Sequence, residues 1–193
     1  MPVIIGNRRY VHEGTIIGDF SMSDKSNYLD TRKGIIKGKI SMLAGNDTVF
    51  GGTLSEVIDG GVGKDRIDSG LGNDKLIGGE GKDTLTGGAG NDTFVFSSSP
   101  LAANADAIVD FNSAEDTFQL KQTFFAGLTA KGSLKSNALH FGLKAADAKD
   151  RIIYDQASGN LYYDPDGTGA QSQIKIAVLT NKATVTLSDF KVV

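Results

Sequence analysis

Between residues 45 and 96 the chain places one apolar side chain at every ninth position: Val49, Ile58, Ile67, Leu76, Leu85 and Phe94. The residues between them are mostly glycine or polar. A period of nine matches neither the 3.6-residue beat of a helix nor the two-residue alternation of a strand. It reads instead as a turn followed by a very short strand whose middle side chain is buried. The triplets Arg66-Ile67-Asp68, Lys75-Leu76-Ile77 and Thr84-Leu85-Thr86 have that form. One inward side chain per repeat cannot stabilise such a unit alone, whereas stacked units bury a continuous column. Two consecutive turn-and-strand units complete one coil, which predicts two parallel sheets with turns along both edges.

A quieter repeat precedes this one. Gly14 to Asp30 aligns with Gly34 to Phe50 at an offset of twenty: Gly14 with Gly34, Gly18 with Gly38, Ser21-Met22 with Ser41-Met42, and Leu29 with Val49. Residues 13–41 therefore read as extra coils of the same stack, blocking its open end. Beyond Phe96 the regular spacing stops. "SSSPLAANADAIVDF" reads as a loop running into a strand, "SAEDTFQL" as a turn and a strand, and "DRIIYDQASGNLYYDPDG" as two alternating strands about a turn at Ala157-Ser158-Gly159-Asn160. "QIKIAVLT" and "ATVTLSDFKVV" supply two more strands. The expected fold is all-β: a right-handed parallel β-roll with degenerate N-terminal coils and a C-terminal antiparallel β capping unit. The segments are 1–41, 42–96 and 97–193.

The polar positions of the same beat carry the chemistry. Two residues before each apolar position stands a carboxylate: Asp47, Glu56, Asp65, Asp74, Asp83 and Asp92. Two residues before these lie Gly45, Gly63, Gly72, Gly81 and Gly90, with Leu54 as the exception. Of the 25 glycines, 14 fall between Gly45 and Gly90. Glycines permit positive φ and let main-chain carbonyls turn inward. Stacking then sets each aspartate near its counterpart two repeats on, beside inward carbonyls and with no arginine fixed nearby by the pattern. Such a site wants a hard cation. Calcium accepts 6–8 oxygen ligands from carboxylates and carbonyls, whereas magnesium holds its waters too tightly. Asn27 falls where Asp47 stands, so the N-terminal coils have lost the charge. A disordered Gly/Asp-rich linker would not keep the apolar column.

Composition narrows the function classes. With 20 Lys and Arg against 23 Asp and Glu, the net charge is -3, which argues against a nucleic-acid binder working through phosphate neutralisation. No apolar run approaches the roughly 20 residues of a membrane span, and "MPVIIGNRRYVHEG" lacks the apolar core of a cleaved signal peptide. Zero cysteines exclude disulfides and thiolate metal sites. His12-Glu13 opens like a zincin helix, yet Ile16 stands where the second histidine belongs. His140 lies in the apolar context "NALHFG", where a packed histidine is expected. Asp164-Pro165-Asp166-Gly167 fails as an EF-hand, with Tyr162 and Gln173 at its two ends, and reads as a hairpin loop. No nucleophile elbow, P-loop or dinucleotide fingerprint occurs. The chain is not expected to be an enzyme.

The run Gly60-Gly61-Val62-Gly63-Lys64-Asp65-Arg66-Ile67-Asp68 and its successors, such as "GGEGKDTLT", resemble the calcium-binding nonapeptide of the repeats-in-toxin (RTX), or haemolysin-type, family. That resemblance implies a parallel β-roll with several Ca²⁺ ions between successive turns on each edge. It implies carboxylate ligands at Asp47, Asp65, Asp74, Asp83 and Asp92, beside the turn glycines Gly61, Gly63, Gly72, Gly79, Gly81, Gly88 and Gly90. Glu56 and Leu54 depart from the pattern, and "MLAGND" lacks the leading glycine pair, which makes the first turn a weak site or a cap. The region from about Asn104 to Phe190 also resembles the C-terminal portion of RTX-type secreted proteins. Asp189, Phe190, Val192 and Val193 match the ending of an uncleaved signal read by a type I ABC secretion system, although Lys191 interrupts it. The expectation is a secreted, extracellular, monomeric calcium-binding module that folds after export, with a structural, matrix or adhesive role. The alternative is a polysaccharide-binding targeting module of an extracellular enzyme, using Lys64, Arg66, Lys75 and Lys82.

Overall fold

The computed structural model describes residues 3–4, 9–128 and 131–193. Of the expected N-terminal segment, residues 1, 2 and 5–8 lie outside the described residues, as do 129 and 130 of the C-terminal one. The described chain forms two sheets, one of nine strands and one of ten, built by parallel pairing between successive coils. Thr48–Phe50, Arg66–Asp68 and Thr84–Thr86 stack in one sheet, each coil 18 residues after the last. Val57–Val62, Lys75–Glu80 and Thr93–Phe96 do so in the other. The repeat read from the sequence is thus one strand per half-coil.

Each sheet turns a ladder of apolar side chains inward. In one, Phe20, Ile40, Ile58, Leu76, Phe94, Phe118 and Phe190 pair in sequence, all fully buried. In the other the run is Tyr10, Leu29, Val49, Ile67, Leu85, Ile108 and Leu179. Truncating one such buried Ile or Leu to alanine costs about 2–5 kcal/mol, and every interior rung touches two others.

The N-terminal coils keep the twenty-residue offset read from the sequence. Gly14 pairs with Gly34, Leu29 with Val49, and Ser21 with Ser41. At the other end the stack continues further than the spacing predicts. Asp106–Ile108 joins the second sheet parallel to Thr84–Leu85, and Thr117–Leu120 joins the first parallel to Thr93–Phe96. Ile174–Leu179 and Phe190–Val192 then extend both sheets, again in parallel. Among the described residues, antiparallel pairing is confined to Ile152–Asp155 with Asn160–Tyr163, the latter with Ile174–Leu179, and Gly132–Ser133 with Phe190–Val192. Phe111 and Phe190 pack on Phe118 at ring separations of 4.1 and 5.1 Å and fill the widened end of the core.

Three smaller readings are settled by position. Asp164 Oδ1 accepts the main-chain N–H of Asp166 and Gly167, which makes Asp164 to Gly167 the loop expected. His12 is buried, its ring stacked on Tyr10. His140 is not packed in the core as expected. It is half-exposed, with Nδ1 3.7 Å from Asp150, because its strand lies at the sheet edge.

Candidate metal centre

Along each edge of the roll the carboxylates form a ladder. The main-chain N–H of Asp47 donates to Asp65 Oδ1 at 2.8 Å, and that of Asp65 to Asp83 Oδ1 at 2.8 Å. On the other edge Glu56 N–H donates to Asp74 Oδ1 at 2.7 Å, and Asp74 N–H to Asp92 Oδ1 at 2.8 Å. Each carboxylate therefore reaches back to the coil before it. The carbonyls of Asp47, Asp65 and Asp74 accept from the residue after the next rung, which locks the register.

One oxygen of each aspartate is used; the other is not. Oδ2 of Asp47, Asp65, Asp74, Asp83 and Asp92 is buried with no hydrogen-bond partner. A buried polar atom left in this state costs about 1–3 kcal/mol, and more when charged. Three of these oxygens lie over a turn glycine of their own unit. A Cβ built on Gly60 would sit 2.5 Å from Asp65 Oδ2, one on Gly78 2.5 Å from Asp83 Oδ2, and one on Gly87 2.4 Å from Asp92 Oδ2. The space beside these three carboxylates is a cradle that a side chain there would fill.

The turns bring main-chain oxygens into register. Gly81 adopts a φ of 131°, and a Cβ there would collide with the carbonyl of Gly63 one coil earlier. The same relation joins Gly79 to Gly61, Gly88 to Gly70, and Gly90 to Gly72. Carbonyls thus stack in columns alongside the carboxylates. Leu43 takes the same left-handed conformation, φ 73°, one coil before Gly61, at a cost of about 1–2 kcal/mol for a residue with a Cβ.

Among the described residues no carboxylate of either ladder has a lysine, arginine or histidine nitrogen within 4.0 Å. Burial accordingly pushes the carboxyls up, to about 6 for Asp47 and about 7 for Glu56 and Asp65, with Asp74, Asp83 and Asp92 also raised. Repulsion from Asp74 adds to the effect at Glu56. Among the described residues no three His, Cys, Asp or Glu side chains converge. A cation here must therefore draw on carbonyls as well as carboxylates, and an all-oxygen, carbonyl-rich donor set suits calcium.

The departures seen in the sequence have structural counterparts. Glu56 keeps its rung, but its longer side chain bends back so that Oε2 accepts the N–H of Gly52 at 3.4 Å. Asn27 occupies the rung before Asp47, whose Oδ1 accepts its N–H at 2.6 Å. Its side-chain amide donates to the carbonyls of Ser23, at 2.7 Å, and Lys25.

Sequence reasoning missed two rungs. Asp83 N–H donates to Asp106 Oδ1 at 3.0 Å, and Asp92 N–H to Asp116 Oδ1 at 2.9 Å. Both keep the aspartate-then-apolar signature, with Ile108 and Phe118 two residues on. Their offsets are 23 and 24 residues instead of 18. Of the cations singled out in the sequence, Arg66 and Lys75 lie in different sheets, while Lys64 and Lys82 are placed in turns.

One family model agrees with this geometry. Residues 43–53 and 59–94 match the RTX calcium-binding nonapeptide repeat, in four copies. The unmatched interval contains Leu54 and Glu56, the two departures. No curated protein matches the chain. Among solved structures, the AlgE6R3 subunit of the Azotobacter vinelandii mannuronan C5-epimerase is similar at 24% identity and a TM-score of 0.47, over 75% of this chain and 77% of that one. The AlgE6R2 subunit of the same organism's enzyme is similar at 18% identity and a TM-score of 0.43, over 93% and 91%. From ladder, cradle and matched repeat together, the coils between residues 43 and 94 are an RTX β-roll that binds Ca²⁺.

Proposed function

We propose that the chain is a secreted module whose roll folds when calcium enters the two ladders, and that it serves a structural or adhesive role with no catalysis of its own. The observation that carries this reading is the set of five buried, unpartnered Oδ2 atoms with no basic partner. Asp47, Asp65 and Asp83 would hold ions on one edge, and Asp74 and Asp92, with Glu56, on the other. The turn glycines at 61, 63, 72, 79, 81, 88 and 90 would offer their carbonyls. Calcium supplies the missing positive charge, and its binding free energy then becomes folding free energy. With an affinity of about 10⁻⁴–10⁻³ M, as in extracellular modules, the chain would stay unfolded where free calcium is low and fold outside. Circular dichroism in chelator and then in millimolar calcium tests this; a β-rich spectrum unchanged by chelator would reject it.

Export through a type I system fits the same scheme. Phe190 and Val192 of the proposed signal are buried in the folded sheet, and Asp189 is held by Thr186 and Ser113. A transporter could read them only before folding. Fusing residues 97–193 to a passenger and assaying its secretion through a matching transporter checks this; retention in the cell would count against it.

A second reading has one observation in its favour. An open groove of about 660 Å³ along the outer face of one sheet is lined by Lys75, Lys121 and Lys131, and by Lys39 paired with Asp59 at 2.6 Å. That charge suits an acidic polysaccharide. Retention on a polyuronate column in calcium, lost in the Lys75→Glu variant, would favour it.

A further inference from the structure

We infer that Asp106 and Asp116, both outside the matched repeats, are the last calcium ligands of the two ladders, so that calcium also fastens the C-terminal coil to the roll. The inference rests on the calcium reading above and extends it past the nonapeptides. Asp106 and Asp116 are buried, at 5% and 7% exposure. Each accepts the N–H of the preceding rung on Oδ1 as the repeat aspartates do, although Asp116 Oδ2, unlike theirs, also accepts the N–H of Asn112 at 2.8 Å.

The preceding rungs are the independent sign of a ligand. Asp83 and Asp92 are almost wholly buried, and the Oδ2 of each has no partner. Asp83 Oδ2 does not face an empty wall. A Cβ on Gly78 would lie 2.5 Å from it and 3.1 Å from Asp106 Oδ2, so the two carboxylates converge on one turn. At the opposite edge Asp92 Oδ2 lies over Gly87, and the Asp110 carboxylate draws in the N–H groups of Gly87 and Gly88 at 2.9 and 2.8 Å. Two carboxylates brought together without a cation repel, so the Asp83–Asp106 junction lacks the same positive charge as the repeat sites.

The role of a rung depends on its neighbours. An interior carboxylate serves the site before it and the site after it, whereas a terminal one serves a single site. Without Asp106 and Asp116 the ladders end at Asp83 and Asp92. With them, Asp83 and Asp92 become interior. The strands that follow Asp106 and Asp116 carry Ile108 and Phe118, on which Leu179 and Phe190 of the final coil stack.

Calcium stoichiometry by calorimetry tests this on the full chain. Asp106→Asn and Asp116→Asn keep the Oδ1 acceptor and remove the charge. Each should lose about one ion relative to the unmodified chain, while Asp68→Asn, outside the ladders, should lose none. Asp92→Asn gives an answer that does not depend on how those two variants fold: it should lose about two ions, as Asp65→Asn does, and not one, as Asp47→Asn does. If Asp106→Asn and Asp116→Asn keep the full count, or Asp92→Asn loses only one, the inference is overturned. A chain that binds no calcium at all would instead overturn the underlying calcium reading.

Discussion

The coil at Asn27 and the coils from Asp47 onward solve one problem in two ways. Both place a polar side chain at the same rung, and both donate their N–H to a side-chain oxygen of the following coil. Both sit beside turn carbonyls that need a positive partner. Asn27 supplies its own: the amide donates to the carbonyls of Ser23 and Lys25. The aspartates cannot donate, and Asp47, Asp65, Asp74, Asp83 and Asp92 each leave one oxygen bare. One atom of chemistry separates a self-sufficient turn from one that requires a cation. Glu56 stands between them, long enough to reach its own Gly52 N–H yet still acidic and raised to about 7.

The contrast can be broken at four points. Chelation has the largest expected effect. Hydrogen exchange at Arg66, Lys75, Thr84 and Thr93, whose N–H groups tie one coil to the next, should go from protected in millimolar calcium to unprotected in chelator. Persistent protection there would mean that the bare oxygens are tolerated.

Next comes Asp65, an interior rung. Asp65→Ala and Asp65→Asn should each lose about two ions by calorimetry. The asparagine variant can donate to turn carbonyls as Asn27 does, and should stay more stable in calcium by about 1–3 kcal/mol, read from urea midpoints. Equal stabilities would show that the Asn27 arrangement does not transfer.

The reverse change is smaller. Asn27→Asp should add about one ion and make the N-terminal coils depend on calcium. An unchanged count would mean that the longer N-terminal coil cannot close a site.

Acidification is the mildest. The ladder carboxyls are raised in the fold, to about 6 for Asp47 and about 7 for Asp65, against about 4 in an unfolded chain. A raised group stabilises the fold below its unfolded value, and that contribution is lost as pH rises through the folded one. In chelator, lowering the pH from 8 to 5 should therefore recover strand signal, whereas in limiting calcium the same change should release ions. Strand signal in chelator that does not rise on acidification would argue against charge repulsion as the obstacle.

Much of the roll is readable from residue spacing, and the limits are physical. The ladders from Asp47 to Asp92 are legible because a fixed 18 residues per coil leave no freedom in where the next carboxylate falls. The N-terminal coils are legible because a constant offset of twenty does the same with slightly longer turns. Asp106 and Asp116 are hidden by extra turn residues, among them the short helix Ala102–Asn104, which change the count without changing the stacking. The final strands can be read from the sequence, but their pairing cannot: Phe190 pairs with Phe118 although the two are far apart in the chain, and only the fold brings them together.

That last pairing gives the end of the chain a second duty. Phe190 lies on Phe118, and the Val193 N–H donates to the carbonyl of Leu120. Removing Thr186 to Val193 would uncover the aromatic end of the core and leave the edge of one sheet ready to pair with another molecule. Truncated forms should therefore clump, so a secretion defect in them would be hard to tell from precipitation inside the cell.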